Sequence, residues 1–229
     1  MTDTKRTEIA ELGEFGLIDH LTKDLKPQNA STLYGVGDDC AVLDYSDKDK
    51  EVLVTTDMLM EGVHFDLTYV PLKHLGYKSA MVNISDIYAM NGTPRQMTVS
   101  VALSKRFSVE DMEDFYAGIV LACQRHNVDL VGGDTTSSLT GLAISITCIG
   151  EAEKGKAVYR NGAGQNDLIC VSGNLGAAYM GLQLLEREKN VFMGESDGVQ
   201  PDFAGKEYLL ERQLKPEARG DIISALAEA

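Results

Sequence analysis

The stretch Gly35-Val36-Gly37-Asp38-Asp39-Cys40-Ala41-Val42 sets two adjacent carboxylates between glycines and a short apolar run. Neighbouring aspartates in a tight turn repel each other unless a positive charge sits beside them, so the stretch asks for a cation. Aspartates in similar surroundings recur at Thr55-Thr56-Asp57, Asn83-Ile84-Ser85-Asp86 and Gly132-Gly133-Asp134-Thr135. Each is predicted at a strand end or inside a helix that follows a strand. Asp39, Asp57, Asp86 and Asp134 are therefore read as one site, whose hard oxygen donors, with no regularly spaced Cys or His, suit Mg²⁺ or Mn²⁺ better than zinc. The competing reading of each aspartate is a turn or cap residue, the commonest role of Asp beside glycine. Taken singly that reading wins; it weakens because Asp57, Asp86 and Asp134 all fall near element ends of one domain.

Other motifs carry less. Gly150-Glu151-Ala152-Glu153-Lys154-Gly155-Lys156 imitates a phosphate loop, but Ala157 stands where a hydroxyl must hold Mg²⁺ and two glutamates would repel phosphate, so the match is rejected. Gly173-Asn174-Leu175-Gly176 reads as an anion cradle at a helix start or as a plain tight turn. On pattern alone, His64 and Arg160 read equally well as idle surface side chains.

The elements that must position these groups follow from periodicity. Ile9, Leu12, Leu17, Ile18, Leu21 and Leu25 predict an amphipathic helix near 8–25, closed by Lys26-Pro27. Residues 40–45 and 51–56 predict a hairpin across the polar turn 46–50, with Asp57 where the second strand ends. Pro71 opens a helix that Asn91-Gly92 stops, placing Asp86 in its last turns. Strands are predicted over 96–104, 128–131 and 141–152, and a helix from Ser108, in capping-box relation to Asp111, to about His126. The first domain, α+β, ends near Gly150. A polar, glycine-rich stretch over 154–166 then leads into a second domain with a strand over 167–172 and helices over 175–190 and 216–229. Some 75 residues with one strand barely bury a core, so the second domain is expected to be incomplete and the chain a fragment.

The totals bound the function. With 229 residues and 44% apolar composition there is material for a sizeable core, and a formal charge of −14 argues against nucleic acid as a partner. The N-terminus has no basic, apolar leader and no run approaches a membrane span, so a cytoplasmic protein without a membrane partner is expected. Cys40, Cys123, Cys148 and Cys170, widely spaced in apolar surroundings, are read as reduced, buried thiols.

Six elements match one family in order and spacing: Gly13-Glu14-Phe15-x-Leu17-Ile18, Gly35-x-Gly37-Asp38-Asp39-Cys40-Ala41, Thr55-Thr56-Asp57 followed by Val63-His64-Phe65, Val82-Asn83-x-Ser85-Asp86-Ile87, Leu130-Val131-Gly132-Gly133-Asp134-Thr135-Thr136 and Arg160-x-Gly162-Ala163. On these the chain resembles the thiamine-monophosphate kinase family, in the superfamily of aminoimidazole-ribonucleotide synthetase. The resemblance implies that Asp39, Asp57, Asp86 and Asp134 hold Mg²⁺, with oxygens from Thr55 and Thr56. It implies that Gly133, Asp134 and Arg160 contact ATP, that Tyr116 lies against the nucleotide, and that His64 touches thiamine monophosphate. The implied reaction moves the γ-phosphoryl of ATP in line onto the terminal phosphate of thiamine monophosphate, with no side-chain nucleophile. The implied architecture has two domains, residues 1–150 binding ATP and Mg²⁺ and 151–229 opening the second, and a homodimer whose first-domain sheets close into a barrel. That dimer would cover the second face of the strands over 96–104 and 141–152, where Ala143, Ser145, Thr147 and Ile149 carry no charge. Another ATP-dependent synthetase of the superfamily, or a nucleotide- and metal-binding dimer module without turnover, are the alternatives. Family members continue into an Asp-x-Ser-Asp-Gly-Leu motif beyond the helix that begins at Pro216; Ser196-Asp197-Gly198 lies on the wrong side of that landmark and is read as a turn.

Overall fold

A computed structural model describes residues 16, 20, 22–24, 29–46, 48–194 and 202–227. The helix expected near 8–25 and the turn at 196–198 fall mostly or wholly outside them. The described residues form a mixed α+β fold around one six-stranded sheet in the order β1-β2-β3-β6-β4-β5. These strands are β1 (Thr32–Tyr34), β2 (Ala41–Leu43), β3 (Lys50–Met60), β4 (Thr93–Leu103), β5 (Asp129–Ser137) and β6 (Ala143–Glu153). All pairings are antiparallel except β4 with β5. The expected hairpin is β2–β3. β3 runs on past Thr56 to Met60, because every residue of it finds a partner on β6, so Asp57 lies inside a strand rather than at its end. Likewise β5 does not stop before Gly132 but carries Gly132-Gly133-Asp134 in register with β4.

Two helices cover one face of the sheet. Helix α1 (Leu72–Ala89) starts after Pro71, whose fixed φ suits that position, and helix α2 (Val109–His126) starts at the expected capping box of Ser108 and Asp111. A Cβ on Gly76 would lie 1.9 Å from the Phe115 carbonyl oxygen, and one on Gly118 1.9 Å from that of Lys73. Backbone therefore meets backbone at this crossing. The core lies between the helices and the sheet: Leu53, Leu75, Met81, Ile84, Ile87, Met97, Val99, Phe115, Ile119, Ile144, Ile146 and Cys148 are all buried.

No described helix covers the opposite face. Ala143, Ser145, Thr147 and Ile149 are only half-buried, and Met58 and Met60 of β3 are exposed on the same side.

Downstream, helices α3 (Ala177–Met193) and α4 (Glu207–Leu214) pack together at Gly181, and α5 (Gly220–Ala227) begins against the Tyr88 ring. Tyr69 donates to Glu186 at 2.6 Å, Lys78 to the Gln213 carbonyl at 3.1 Å and Tyr77 to Glu217 at 2.6 Å, tying α3, α4 and the segment before α5 to α1 and the loop ahead of it. The helix expected over 216–229 thus begins four residues late, at Gly220. The strand expected over 167–172 does not form. A strand needs a hydrogen-bonding neighbour, and among the described residues none lies beside it, so Leu168 and Ile169 are 89% and 96% exposed. Cys170, on this segment, is exposed, contrary to the reading of four buried thiols; Cys40, Cys123 and Cys148 are buried, and all four are free. No described helix is long and apolar enough to cross a membrane.

Candidate functional site

Strand β3 and helix α1 meet at a corner where three of the four aspartates gather. Thr55 and Asp57 point from β3 toward the helices, because alternation puts residues 51, 53, 55, 57 and 59 on the core side. Asp86 comes from the last turns of α1, as expected, and its Oδ2 accepts a hydrogen bond of 2.8 Å from the Thr55 hydroxyl. Thr56, one residue on, faces the other side of the sheet and donates to the Ile146 carbonyl at 3.0 Å. Of the two hydroxyls, that of Thr55 therefore faces this corner and that of Thr56 faces the other side of the sheet.

Asn83 fastens the corner. It is fully buried, its Oδ1 accepts from the Asp57 backbone N–H at 3.2 Å, and its amide donates to the Ser79 carbonyl at 3.2 Å. Sequence reasoning quoted this residue without a role; the available signal was an amide three residues before Asp86 on an otherwise apolar helix face. Asp39 approaches from the loop before β2, whose end is held by the Cys40 N–H on the Met90 sulfur at 3.1 Å and the Cys40 thiol on the Asp86 carbonyl at 3.5 Å.

Electrostatics show that these carboxylates sense one another. Burial first, then the charges of Asp57 and Asp39, push the Asp86 carboxyl up to about 6, against the downward pull of the Thr55 hydrogen bond and Arg160. Burial also raises Asp57, with the nearby His64 drawing it back. Arg160 meets the cluster directly: its guanidinium pairs with the Asp39 carboxylate, and its backbone N–H donates to Asp38 at 3.0 Å. His64 sits in the turn after β3, where Nδ1 accepts from the Met60 N–H at 3.0 Å and the ring proton is left on Nε2.

Asp134, Gly133 and Tyr116 lie elsewhere. Register runs Asp57–Ile146–Val99–Gly133 across the sheet, so β5 stands three strands from β3, about 14 Å at ordinary strand spacing. Asp134 belongs to the adjacent row with Ser100, Ser145 and Met58, which faces away from the helices. The expectation of four aspartates in one place is thus corrected: one chain unites three. The reason is topological, since β5 joins the sheet at its far edge, beyond β6 and β4. Gly133 is required there by packing, because a Cβ would lie 1.8 Å from the Val99 carbonyl oxygen. Tyr116 reaches the same edge from α2 and shares an open cleft with Val99, Gly133 and Asp134.

Among the described residues no three Asp, Glu, His or Cys side chains already converge as a metal cage. The donor set nonetheless fits Mg²⁺, which keeps much of its water and is commonly held by one or two carboxylates plus substrate phosphates. Mutual repulsion of Asp39, Asp57 and Asp86 and the arginine already drawn to Asp39 both mark a place where positive charge is favoured.

Known proteins resemble this chain over most of its length. The family model described as AIR synthase related protein, N-terminal domain, matches residues 37–152. The thiamine-monophosphate kinase of Bacillus subtilis (strain 168) is 36% identical over 208 residues, 91% of this chain and 61% of the relative. That of Aquifex aeolicus (strain VF5) is 37% identical over 215 residues, 94% of this chain and 63% of the relative. The solved complex of AaThiL with AMPPCP and TMP superposes with a TM-score of 0.79 at 36% identity, covering 98% of this chain and 65% of that one. The chain spans about three fifths of the length of the curated relatives it matches. A matched segment that begins inside the Asp38-Asp39 loop and ends at the close of β6, taking in all four aspartates, leads to one conclusion: this chain belongs to the AIR synthase related protein family.

Proposed function

We propose that this chain carries the metal- and nucleotide-binding part of a thiamine-monophosphate kinase, which transfers the γ-phosphoryl group of ATP to thiamine monophosphate and forms thiamine diphosphate. The observation that carries the reading is the gathering of Asp39, Asp57 and Asp86 around the β3–α1 corner, with Arg160 beside them, in a chain 36% identical to one solved with AMPPCP and TMP. The acceptor is already an anionic oxygen, so the chain needs no strong base; the barrier is the repulsion of two polyanions and their alignment. Mg²⁺, when bound, supplies neutralisation of the polyphosphate. Asp39, Asp57 and Asp86, with the Thr55 hydroxyl, hold it. Arg160 adds a mobile positive charge for a phosphate oxygen, and His64, with its proton on Nε2, donates to the acceptor phosphate. In this reading residues 1–150 are the ATP- and Mg²⁺-binding domain and 151–229 the first part of a second domain.

A homodimer belongs to the same reading. The stretch of the open face from Val54 to Met60 on β3 and from Ala143 to Ile149 on β6, which carries no charge on that side, and the wholly exposed edge strand β5 are surfaces that a monomer would leave wet. A two-fold partner closing the sheets into a barrel covers the face, and it gives Tyr116, Gly133 and Asp134 a partner surface at the β5 edge. Thermal unfolding tests the site: Mg²⁺ with AMPPCP stabilises the chain, and EDTA abolishes the effect. Equal stabilisation by AMPPCP with and without EDTA refutes a metal-bridged site. Light scattering across concentrations tests the dimer, and a monomer at every concentration removes it.

A further inference from the structure

Asp38 differs from its neighbour Asp39. Its side chain is 1% exposed, whereas that of Asp39 beside it is 36% exposed. Both of its oxygens are engaged. Oδ1 accepts from the Asp39 backbone N–H at 2.9 Å and from Arg160 Nε at 3.4 Å, and Oδ2 accepts from the Arg160 backbone N–H at 3.0 Å. The first contact alone would be an ordinary local turn bond. The other two are not local, since they reach across the chain to a residue 122 positions away. Alongside, the Tyr34 and Tyr159 rings pack with centroids 5.1 Å apart, so residues 159 and 160 are both fastened to the loop that carries Asp39.

A buried carboxylate is retained only with good partners, and those of Asp38 are the backbones of Asp39 and Arg160 and the guanidinium stem of the latter. The Arg160 guanidinium, meanwhile, rests on Asp39, where a metal ion would be held. We propose that Asp38 is a positioning residue that holds Asp39 and the Arg160 backbone at one point, so that Asp39 exchanges the Arg160 guanidinium for a divalent cation and the released guanidinium turns to the phosphate. Without the metal, Arg160 offsets the charge of the loop; with metal and nucleotide present, its backbone remains tied to Asp38 while its side chain changes partner. The inference rests on the reading above for the roles of Asp39 and Arg160, and adds a role for Asp38 and an order of events.

Calorimetry with Mn²⁺ alone and with Mn²⁺ plus AMPPCP tests it on the whole chain. Asp38→Asn keeps the size of the side chain but loses its charge and one acceptor, and weakens Mn²⁺·AMPPCP binding about tenfold, the loss expected for charged hydrogen bonds. Arg160→Gln, at an exposed position, gives changes of opposite sign: Mn²⁺ alone binds tighter, because its competitor for Asp39 is gone, while Mn²⁺·AMPPCP binds more weakly. A purely structural role would not produce that split. In the Arg160→Gln background the effect of Asp38→Asn on Mn²⁺·AMPPCP shrinks to about twofold, since the two residues act together. Unaltered binding in Asp38→Asn, or fully additive losses, overturns the positioning role. Unchanged or weaker binding of Mn²⁺ alone by Arg160→Gln overturns the exchange, and does so even if Asp38→Asn fails to fold. A wild-type chain that binds no AMPPCP with Mn²⁺ overturns the kinase reading itself, and this inference with it.

Discussion

The β3–α1 corner and the β5 edge both carry residues that the sequence singles out, yet they are built in opposite ways. At the corner Thr55, Asp57 and Asp86 stand on elements already buried for other reasons: Thr55 and Asp57 share the core face of β3 with Leu53 and Leu59, and Asp86 shares α1 with Ile84 and Ile87. Asn83 and Thr55 then lock strand to helix by hydrogen bonds. At the edge, all nine residues of β5 are exposed, and backbone pairing with β4, the close approach at Gly133 and a slight contact with α2 hold the strand in place. The corner is preorganised by one chain's packing. The edge has its backbone set, while none of its side chains is buried by the described residues.

The largest effect that could break this contrast is steric. Gly118→Ala drives a methyl group into the Lys73 carbonyl at the helix crossing. It should destabilise the chain by about 3 kcal/mol and take Mn²⁺ binding with it, because α1 carries Asp86. Gly133→Ala meets backbone just as closely, but at an edge that can peel away; a loss of about 1 kcal/mol with Mn²⁺ binding intact is expected. Denaturant unfolding and calorimetry on the pair decide the matter, and loss of Mn²⁺ binding in Gly133→Ala would show that corner and edge are one unit.

Electrostatics give the intermediate effect. The folded-state value of Asp86, about 6, stands above that of an unfolded aspartate. As pH rises through 6 the carboxyl must ionise in place, against burial and its acidic neighbours, so the metal-free fold loses stability; as pH falls toward 4 it regains it. Asp86→Asn should therefore stabilise the metal-free chain at pH 7 by about 1 kcal/mol, a figure discounted for partial exposure, while weakening Mn²⁺ binding. Wild-type affinity for Mn²⁺ should in turn fall below pH 6, as protons compete for the same oxygen. Metal affinity flat from pH 5 to 8 would remove Asp86 from the ligand set.

The smallest effect is expected at the edge. Asp134→Asn changes an exposed side chain, and should alter metal-free stability by no more than about 0.5 kcal/mol. Its effect on AMPPCP binding should appear only at concentrations where light scattering shows a dimer. An equal effect in the monomer would place Asp134 within one chain's site after all.

Much of this was legible in the residues themselves. The Ser108–Asp111 capping box, Pro71, and the alternation of β4 and β6 located elements closely, because they are local signals whose physics lies within a few residues. The pairing of β2 with β3 followed from the polar turn between them. Strand ends were less legible: β3 and β5 run past their apolar stretches because partners on β6 and β4 continue to bind their backbones, and such partners are distant in sequence. The same cause, in reverse, left residues 167–172 without a strand despite their apolar pattern. Residue types alone marked four aspartates as a group with an appetite for cations. Only the sheet order 1-2-3-6-4-5 decided which of them share a corner, since that order sets Asp57 and Asp134 three strands apart and on opposite faces. The partnership of Asp38 with Arg160 belongs wholly to the tertiary structure, because nothing in either residue's neighbourhood in the sequence announces a contact across 122 positions.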